Sequence, residues 1–104
     1  DVALCLIESG CLSHRMSTPN KMMEAFAAGV PALCSPLSEA RRYLGDQADT
    51  WVLEDPQREL VSALERITRK DIAAFIAPTI PTWEEGATRL REAYERALAA
   101  RALR

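Results

Sequence analysis

The 104-residue sequence lacks the long apolar segments that mark membrane proteins. Its apolar stretches, such as 2–7, are far too short to cross a bilayer. No basic segment precedes an apolar stretch and a cleavage site, so we predict no signal peptide. The single histidine, His14, cannot form a metal site on its own. We therefore predict neither a transmembrane segment nor a bound metal.

Cysteine is scarce, and the number of cysteines is odd. It occurs only as Cys5, Cys11 and Cys34, without the spacing of metal ligands. Cys5 and Cys34 lie inside apolar runs, where a free thiol packs as a small hydrophobic side chain. This usage favours a reduced, cytoplasmic setting.

A basic surface is lacking as well. The 13 basic and 15 acidic residues are interspersed and give a formal charge of −2. Binding to a phosphate backbone requires a clustered basic face. The most basic stretch, 66–70, is followed at once by Asp71 and is typical of a helix end. We predict that nucleic acid is not a partner.

Three short apolar runs, 2–7, 31–34 and 50–53, alternate with helical patterns. The first run is apolar on both faces, which predicts a strand buried in a parallel sheet. This alternation predicts an α/β fold in which helices flank a parallel sheet of about three strands. A sheet usually has about five or six strands. Because the chain also opens at Asp1 inside an apolar run, we expect a fragment.

The helical patterns carry start and stop signals. Ser17 or Thr18 is a suitable N-cap, Pro19 suits the first helical position, and Gly29 is placed to end that helix. Its apolar stripe, which we expect in the core, includes Met22, Met23 and Phe26. Ser38 is the predicted cap of a short helix that runs through Leu44. Further helices are predicted over 60–67, over 72–76 and from about Thr82, so the chain is helical from 56 to 104.

The loop 9–17 and the helix after it form the predicted ligand site, because ligands bind beyond the carboxyl ends of parallel strands. The helix start suits a diphosphate. At this site Ser17 and Thr18 offer hydroxyl donors, and Lys21 offers a positive charge. Glu24, farther along the polar face, can accept both hydroxyls of a ribose. The alternative is an ordinary solvated face on which Lys21 pairs with Glu24. Glu8 similarly faces the site or only ends its strand.

The segment 17–33 reads Ser-Thr-Pro-Asn-Lys-Met-Met-Glu-Ala-Phe-Ala-Ala-Gly-Val-Pro-Ala-Leu. It resembles the Ser-x-Pro-x-Lys-x-x-Glu-x-Met-Ala-x-Gly-x-Pro-Val-Val pattern at the donor site of GT-B glycosyltransferases of the group 1, family 4 type. Segments 1–7, 50–67 and 82–85 resemble other parts of the same domain, in the same order. The resemblance implies a partial Rossmann-like domain over 1–104, the C-terminal half of a GT-B donor domain. Its βαβαβ part, 1–55, would bind the nucleotide sugar.

The resemblance also implies roles for single residues. Glu24 would hold the ribose hydroxyls, and the residues expected near the donor are Ser17, Thr18, Asn20 and Lys21. Arg15 and Met16 are candidate diphosphate or sugar contacts. At Met16 many members of the family carry a second glutamate, and Pro36-Leu37 stands where the family has Gly-Gly. Catalytic residues stay unassigned.

The implied function is transfer of a sugar from a nucleotide-diphosphate donor, with retention of configuration and without a cofactor. The acceptor, a glycan, a lipid or a small molecule, would bind through a domain outside this chain. The last helix would pack towards that domain, and Trp83 and Tyr94 would be exposed in the absence of that domain. From its residue type, without the resemblance, Trp83 is predicted to be a packed structural side chain. The implied setting is cytoplasmic, with peripheral membrane association of the intact enzyme left open.

Two other functions stay open. One is a non-catalytic α/β binding or interaction module with a degenerate nucleotide site, consistent with Met16 in place of the family's glutamate. The other is a nucleotide-sugar epimerase, which shares the GT-B fold.

Overall fold

The computed structural model describes residues 1–8 and 10–104. The chain is α/β, with a small parallel sheet and a majority of helix. Its elements are β1 (Ala3–Cys5), α1 (Leu12–Arg15), α2 (Asn20–Ala27), β2 (Ala32–Cys34), α3 (Ser38–Leu44), α4 (Ala48–Trp51), α5 (Pro56–Arg66), α6 (Arg69–Ala74) and α7 (Trp83–Ala102). A 3₁₀ turn, Gly45–Gln47, joins α3 to α4.

The sheet consists of β1 and β2, paired in parallel with Ala3 opposite Ala32 and Cys5 opposite Cys34. The predicted third strand over 50–53 is wrong in its first half, because Thr50 and Trp51 belong to α4. The Trp51 side chain is buried there and meets the Phe75 ring edge to face, with 5.7 Å between centroids. Only the residues after α4 are extended. Val52 forms a single parallel bridge to Cys34.

The prediction that β1 is buried on both faces is also wrong. Cys5 is only 2% exposed, whereas Leu4 and Leu6 are 47% and 40% exposed. The buried side faces α2, which packs on both strands. On the opposite side Leu4 and Leu6 are only partly covered, so part of an apolar strand lies in contact with solvent.

The region before α2 contains more structure than predicted. The predicted loop 9–17 includes the helical turn α1. The Ser17 hydroxyl donates to the carbonyl of His14 at 2.7 Å, at the end of that turn. Neither Ser17 nor Thr18 is therefore the cap of α2. Pro19 holds the N-cap position in an extended conformation, one residue before the helix start that we predicted for it.

The end of α2 is confirmed, since Gly29 has a φ of 73°. This is the left-handed conformation that glycine adopts after many helices. The amides of Gly29 and Val30 close the helix on the carbonyls of Phe26 and Ala25, at 3.0 and 2.8 Å. The chain then turns directly into β2.

The core lies between α2, the sheet and the helices that follow β2. Met22 and Phe26 are fully buried as predicted, whereas Met23 is only half-buried. The Phe26 ring also contacts Phe75, at a centroid distance of 5.9 Å. The remaining large buried side chains include Leu33, Leu37, Leu44 and Trp51.

The helices after β2 follow the predicted order with shifted boundaries. α3 ends at Leu44 as predicted, but Ser38 is its first residue and not its cap, because the buried Leu37 holds the N-cap position. α5 begins at Pro56. α6 ends at Ala74, so Phe75 and Ile76 lie beyond it, contrary to prediction. Ile76 is held instead by Gln47, whose side-chain amide bonds both its N–H and its carbonyl.

α7 begins where predicted, after a capping box in which Thr82 and Glu85 bond each other's amides at 3.1 and 2.7 Å. None of its residues is buried. Trp83 is 93% exposed, so the reading of Trp83 as a packed side chain is wrong. Among the described helices none is long and apolar enough to cross a membrane.

Candidate functional site

One cavity lies where the carboxyl ends of the parallel segments meet. Its volume is about 670 Å³, in the range of small-molecule sites. The walls come from the segment after β1, the segment after β2 and the start of α5. The lining residues are Leu6, Ile7, Glu8, Gly10, Ser35, Pro36, Glu54, Asp55, Pro56, Gln57, Leu60 and Val61. We call this the strand-end cavity.

A second cavity, of about 450 Å³, lies beside β1, and no residue of β2 lines it. Four consecutive residues of the first apolar run form one wall, and the start of α2 forms the other. The lining residues are Leu4, Cys5, Leu6, Ile7, Pro19, Asn20 and Lys21. We call this the edge cavity. It is the place to which the structure brings residues of the predicted donor site.

Asn20 and Lys21 reach the edge cavity because α2 starts immediately after Pro19 and leans on β1. Pro19 has no side-chain acceptor for the first turn, and the first helical bond runs from the Met23 amide to the Pro19 carbonyl at 3.2 Å. The amides of Asn20 and Lys21 therefore have no partner within the described residues. Such free N–H groups at a helix start attract anions.

Glu24 lies one turn after Asn20 and is exposed. It does not line either cavity, and within residues 1–8 and 10–104 its carboxylate has neither a hydrogen bond nor an ion pair. The alternative in which Lys21 pairs with Glu24 is thus not the arrangement in the structure. Both side chains are available to a ligand.

The other four predicted residues lie apart from both cavities. Arg15 and Met16 form the end of α1 and contact the start of α3, where the Ser38 hydroxyl lies 3.3 Å from the Arg15 carbonyl and 3.7 Å from the Met16 sulfur. The Ser17 hydroxyl is engaged with His14, and Thr18 is exposed. The structure therefore does not gather the predicted set into one pocket.

Acidic residues dominate the polar rim of the strand-end cavity. Glu8 follows β1, and Glu54 and Asp55 follow the bridge residue Val52. Glu54 forms an ion pair with Arg41, and Asp55 forms one with Arg58 at 3.4 Å. Sequence reasoning weighed Glu8 but missed Glu54 and Asp55. Their position directly after an apolar run was the available signal.

Ser35 links the ends of the two strands. It is the one buried polar side chain in the described core, at 1% exposure. Its hydroxyl accepts the Ile7 N–H at 2.7 Å, and its own N–H donates to the Cys5 carbonyl at 3.1 Å. These two bonds fix the path of the chain after β1. His14 adds a third tie, since its Nδ1 lies 2.9 Å from the Glu8 carbonyl.

Cys5 and Cys34 are buried opposite each other on the two strands, and both are free thiols. The neutral Cys34 thiol donates to the Ala32 carbonyl at 3.4 Å. Donation from Cys34 to an ionised Cys5 lowers the pKa of Cys5, against the opposing effect of burial, with smaller help from the Met22 amide and the Lys21 charge. The pKa of Cys34 is raised because its proton is shared with Cys5 and because it is buried. At neutral pH the pair retains the Cys34 proton.

No family model, curated protein or solved structure matches the chain. Within the described residues no three histidine, cysteine, aspartate or glutamate side chains are grouped so that they could hold a metal ion. The interpretation of the site therefore depends on its own geometry and on the sequence resemblance.

Proposed function

We propose that the chain is part of a glycosyltransferase and binds the nucleotide-diphosphate portion of a sugar donor at the start of α2. The intact enzyme would transfer the glycosyl group to an acceptor with retention of configuration. One observation supports this proposal above the others. Asn20 and Lys21, from the segment that resembles the family's donor site, line a cavity beside the first parallel strand.

The chemistry of that position suits a diphosphate. Free amides at a helix start carry a positive partial charge that favours phosphate oxygens. Lys21 adds a full positive charge at the same place. Glu24 follows three residues later, about 4.5 Å farther along the helix axis and on a neighbouring part of the surface. Its exposed carboxylate could accept hydrogen bonds from both hydroxyls of a ribose joined to the diphosphate.

Binding alone does not complete the reaction. A departing diphosphate must be stabilised by preorganised positive charge. Lys21 is the only cationic side chain that lines the edge cavity in the described part of the chain. We therefore expect the 104-residue chain to bind a nucleoside diphosphate weakly and not to turn a donor over.

The test compares UDP and GDP with inorganic pyrophosphate, by amide NMR titration at millimolar ligand. For the unaltered chain we expect shifts at Asn20, Lys21 and Glu24 with all three ligands. Glu24→Gln should weaken nucleoside diphosphate binding by about tenfold or more, since a charged hydrogen bond is worth about 1.5–3 kcal/mol, and should not weaken pyrophosphate binding. Lys21→Ala should weaken all three.

Glu95→Gln, on the exposed surface of α7, is the matched control and should have no effect. Shifts confined to the strand-end cavity, or an equal loss in both glutamine variants, would contradict the proposal. Dispersed spectra without any ligand shift would favour an interaction module. An epimerase would share the nucleotide site, so release of a transferred product by the full-length protein would separate it from a transferase.

A further inference from the structure

Cys5 and Cys34 are two cysteines that the fold brings together. They are directly paired across the parallel ladder of β1 and β2, and both thiols are free and buried. Directly opposed residues of neighbouring strands carry their side chains on the same face of the sheet. The two thiols therefore lie side by side in the core. Cys11 is exposed at the N-cap of α1, outside the sheet.

The spacing of the two strands suits a disulfide between these cysteines. Neighbouring strands lie about 4.7–4.9 Å apart, and the Cα atoms that a disulfide joins are usually about 4.4–6.8 Å apart. The Cβ atoms that a disulfide joins are closer, at about 3.5–4.5 Å. Oxidation would therefore draw β1 and β2 slightly together at this pair. A bond that forms under such constraint is readily reduced again.

Cys5 is the member of the pair that a small oxidant can reach. It is only 2% exposed, but it lines the edge cavity, whereas Cys34 is fully buried and does not line either cavity. The hydrogen bond from the Cys34 thiol, the Met22 amide and the charge of Lys21 together outweigh burial and lower the pKa of Cys5 to about 7. The thiolate, which is the reactive form, is therefore well populated at neutral pH.

We propose that Cys5 and Cys34 form a redox-active dithiol, which hydroperoxides oxidise to a disulfide that links β1 to β2. The Cys5 thiolate attacks one oxygen of hydrogen peroxide, the O–O bond breaks, and hydroxide leaves and becomes water with the proton that Cys5 lost. The Cys34 sulfur then attacks the sulfur of the sulfenic acid at Cys5. The S–S bond forms, the S–O bond breaks, and hydroxide leaves as water with the Cys34 proton. The inference does not depend on the proposed function.

The test treats the folded 104-residue chain with a small excess of hydrogen peroxide. The remaining free thiols are then alkylated in urea, and the products are mapped by mass spectrometry after digestion at low pH, where thiol exchange is slow. The three cysteines allow three pairings, of which we expect only one, Cys5 linked to Cys34, with the loss of both alkylation sites. Cys11 should stay unlinked. Dithiothreitol should restore both buried thiols.

Two alanine variants separate the roles of the pair. In Cys34→Ala no thiol resolves the intermediate, so dimedone should label a sulfenic acid at Cys5, more slowly than in the unaltered chain because the Cys34 donor is lost. In Cys5→Ala the buried Cys34 should stay reduced. Cys11→Ser is the matched control, since it removes the exposed thiol and should leave the Cys5–Cys34 linkage unchanged. The linkage itself is measured with both buried cysteines present, so it does not depend on the folding of either alanine variant.

Three results would overturn the proposal. Full alkylation of Cys5 and Cys34 after peroxide treatment would show that the oxidant does not reach the pair. Linkage through Cys11, within one chain or between two, would show that the exposed cysteine is the one that peroxide oxidises. A mixture of all three pairings, as an unfolded chain would give, would show that the pairing of β1 with β2 does not direct the reaction.

Discussion

At the scale of single residues, Ser35 stabilises the path of the chain at the ends of both strands. Its buried hydroxyl satisfies the amide of Ile7, the residue that leads β1 towards the strand-end cavity. An amide left without a partner in such a place costs about 1–3 kcal/mol. Ser35→Ala should therefore lower the free energy of unfolding by that amount in urea titrations.

Ser62→Ala is the control for that prediction. The Ser62 hydroxyl bonds only the Glu59 carbonyl one turn earlier on the exposed side of α5. Loss of the Ser62 hydroxyl should change the free energy of unfolding by less than about 0.5 kcal/mol. Equal effects of the two substitutions would show that the Ser35 bond does not stabilise the strand ends.

The sequence predicts which side chains are buried better than it predicts which groups form hydrogen bonds with each other. Burial of Met22 and Phe26 follows from helical spacing, because one face of an amphipathic helix meets the core. The partner of the Ser17 hydroxyl did not follow, because the competing acceptor, the His14 carbonyl, exists only once α1 has formed. The roles predicted for Arg15, Thr18 and the other donor-site residues remain predictions, of which only the positions of Asn20 and Lys21 beside a cavity now have structural support.

At the scale of elements, two glycines should respond to alanine in opposite directions. A Cβ added at Gly29 or at Gly86 meets no atom within 4 Å, so backbone conformation alone decides the effect. Gly29 has a left-handed φ of 73°, which costs a side-chain-bearing residue about 1–2 kcal/mol. Gly29→Ala should destabilise the fold by that amount in denaturant unfolding. Gly86 lies inside α7, where alanine is favoured by about 0.8–1.0 kcal/mol.

Gly86→Ala should accordingly raise the helical circular dichroism signal and slow amide exchange within α7. A loss of helicity in this variant, or a neutral Gly29→Ala, would contradict the backbone conformations described above. The two variants serve as each other's control.

The start of α6 should depend on pH through Asp71. Its carboxylate accepts the amide and the hydroxyl of Thr68, both at 2.8 Å, and these bonds hold the pKa of Asp71 below its ordinary value. The stabilisation is complete above the unfolded pKa, about 4, and is lost as the pH falls through the lower folded pKa. Acidification from about pH 5 to pH 2 should therefore lower the protection of the amides at the start of α6, measured relative to the intrinsic exchange rate at each pH.

Asp71→Asn keeps a carbonyl acceptor at this position but cannot titrate. The acid-dependent part of the exchange change should then disappear from α6. If Asp71→Asn shows the same acid response as the unaltered chain, another group must be responsible.

Element order could be predicted from the sequence, but several boundaries could not. The start of α7 near Thr82 and the end of α2 at Gly29 were predicted correctly, since local interactions set both boundaries. The run 50–53 favoured a strand by residue type, yet burial of Trp51 against Phe75 placed its first half in α4. Tertiary packing outweighs intrinsic strand preference in such short runs.

At the scale of the whole molecule, α7 stands apart from the rest of the chain. The radius of gyration is 17.4 Å and the longest dimension 60 Å, whereas a compact domain of this length has a radius of gyration of about 13 Å. The 20-residue helix is about 30 Å long. It exposes a stripe that contains Trp83, Leu90, Tyr94 and Leu98.

Because no residue of α7 is buried, its removal should not disturb the core. A chain that ends at Thr82 should keep its free energy of unfolding within about 0.5 kcal/mol, while its radius of gyration in small-angle X-ray scattering falls towards the compact value. The unaltered chain should scatter with a radius near 17.4 Å. A much smaller radius, together with a destabilised truncation, would mean that in solution the exposed stripe folds back onto the core. Unchanged stability would leave the stripe free to contact another surface.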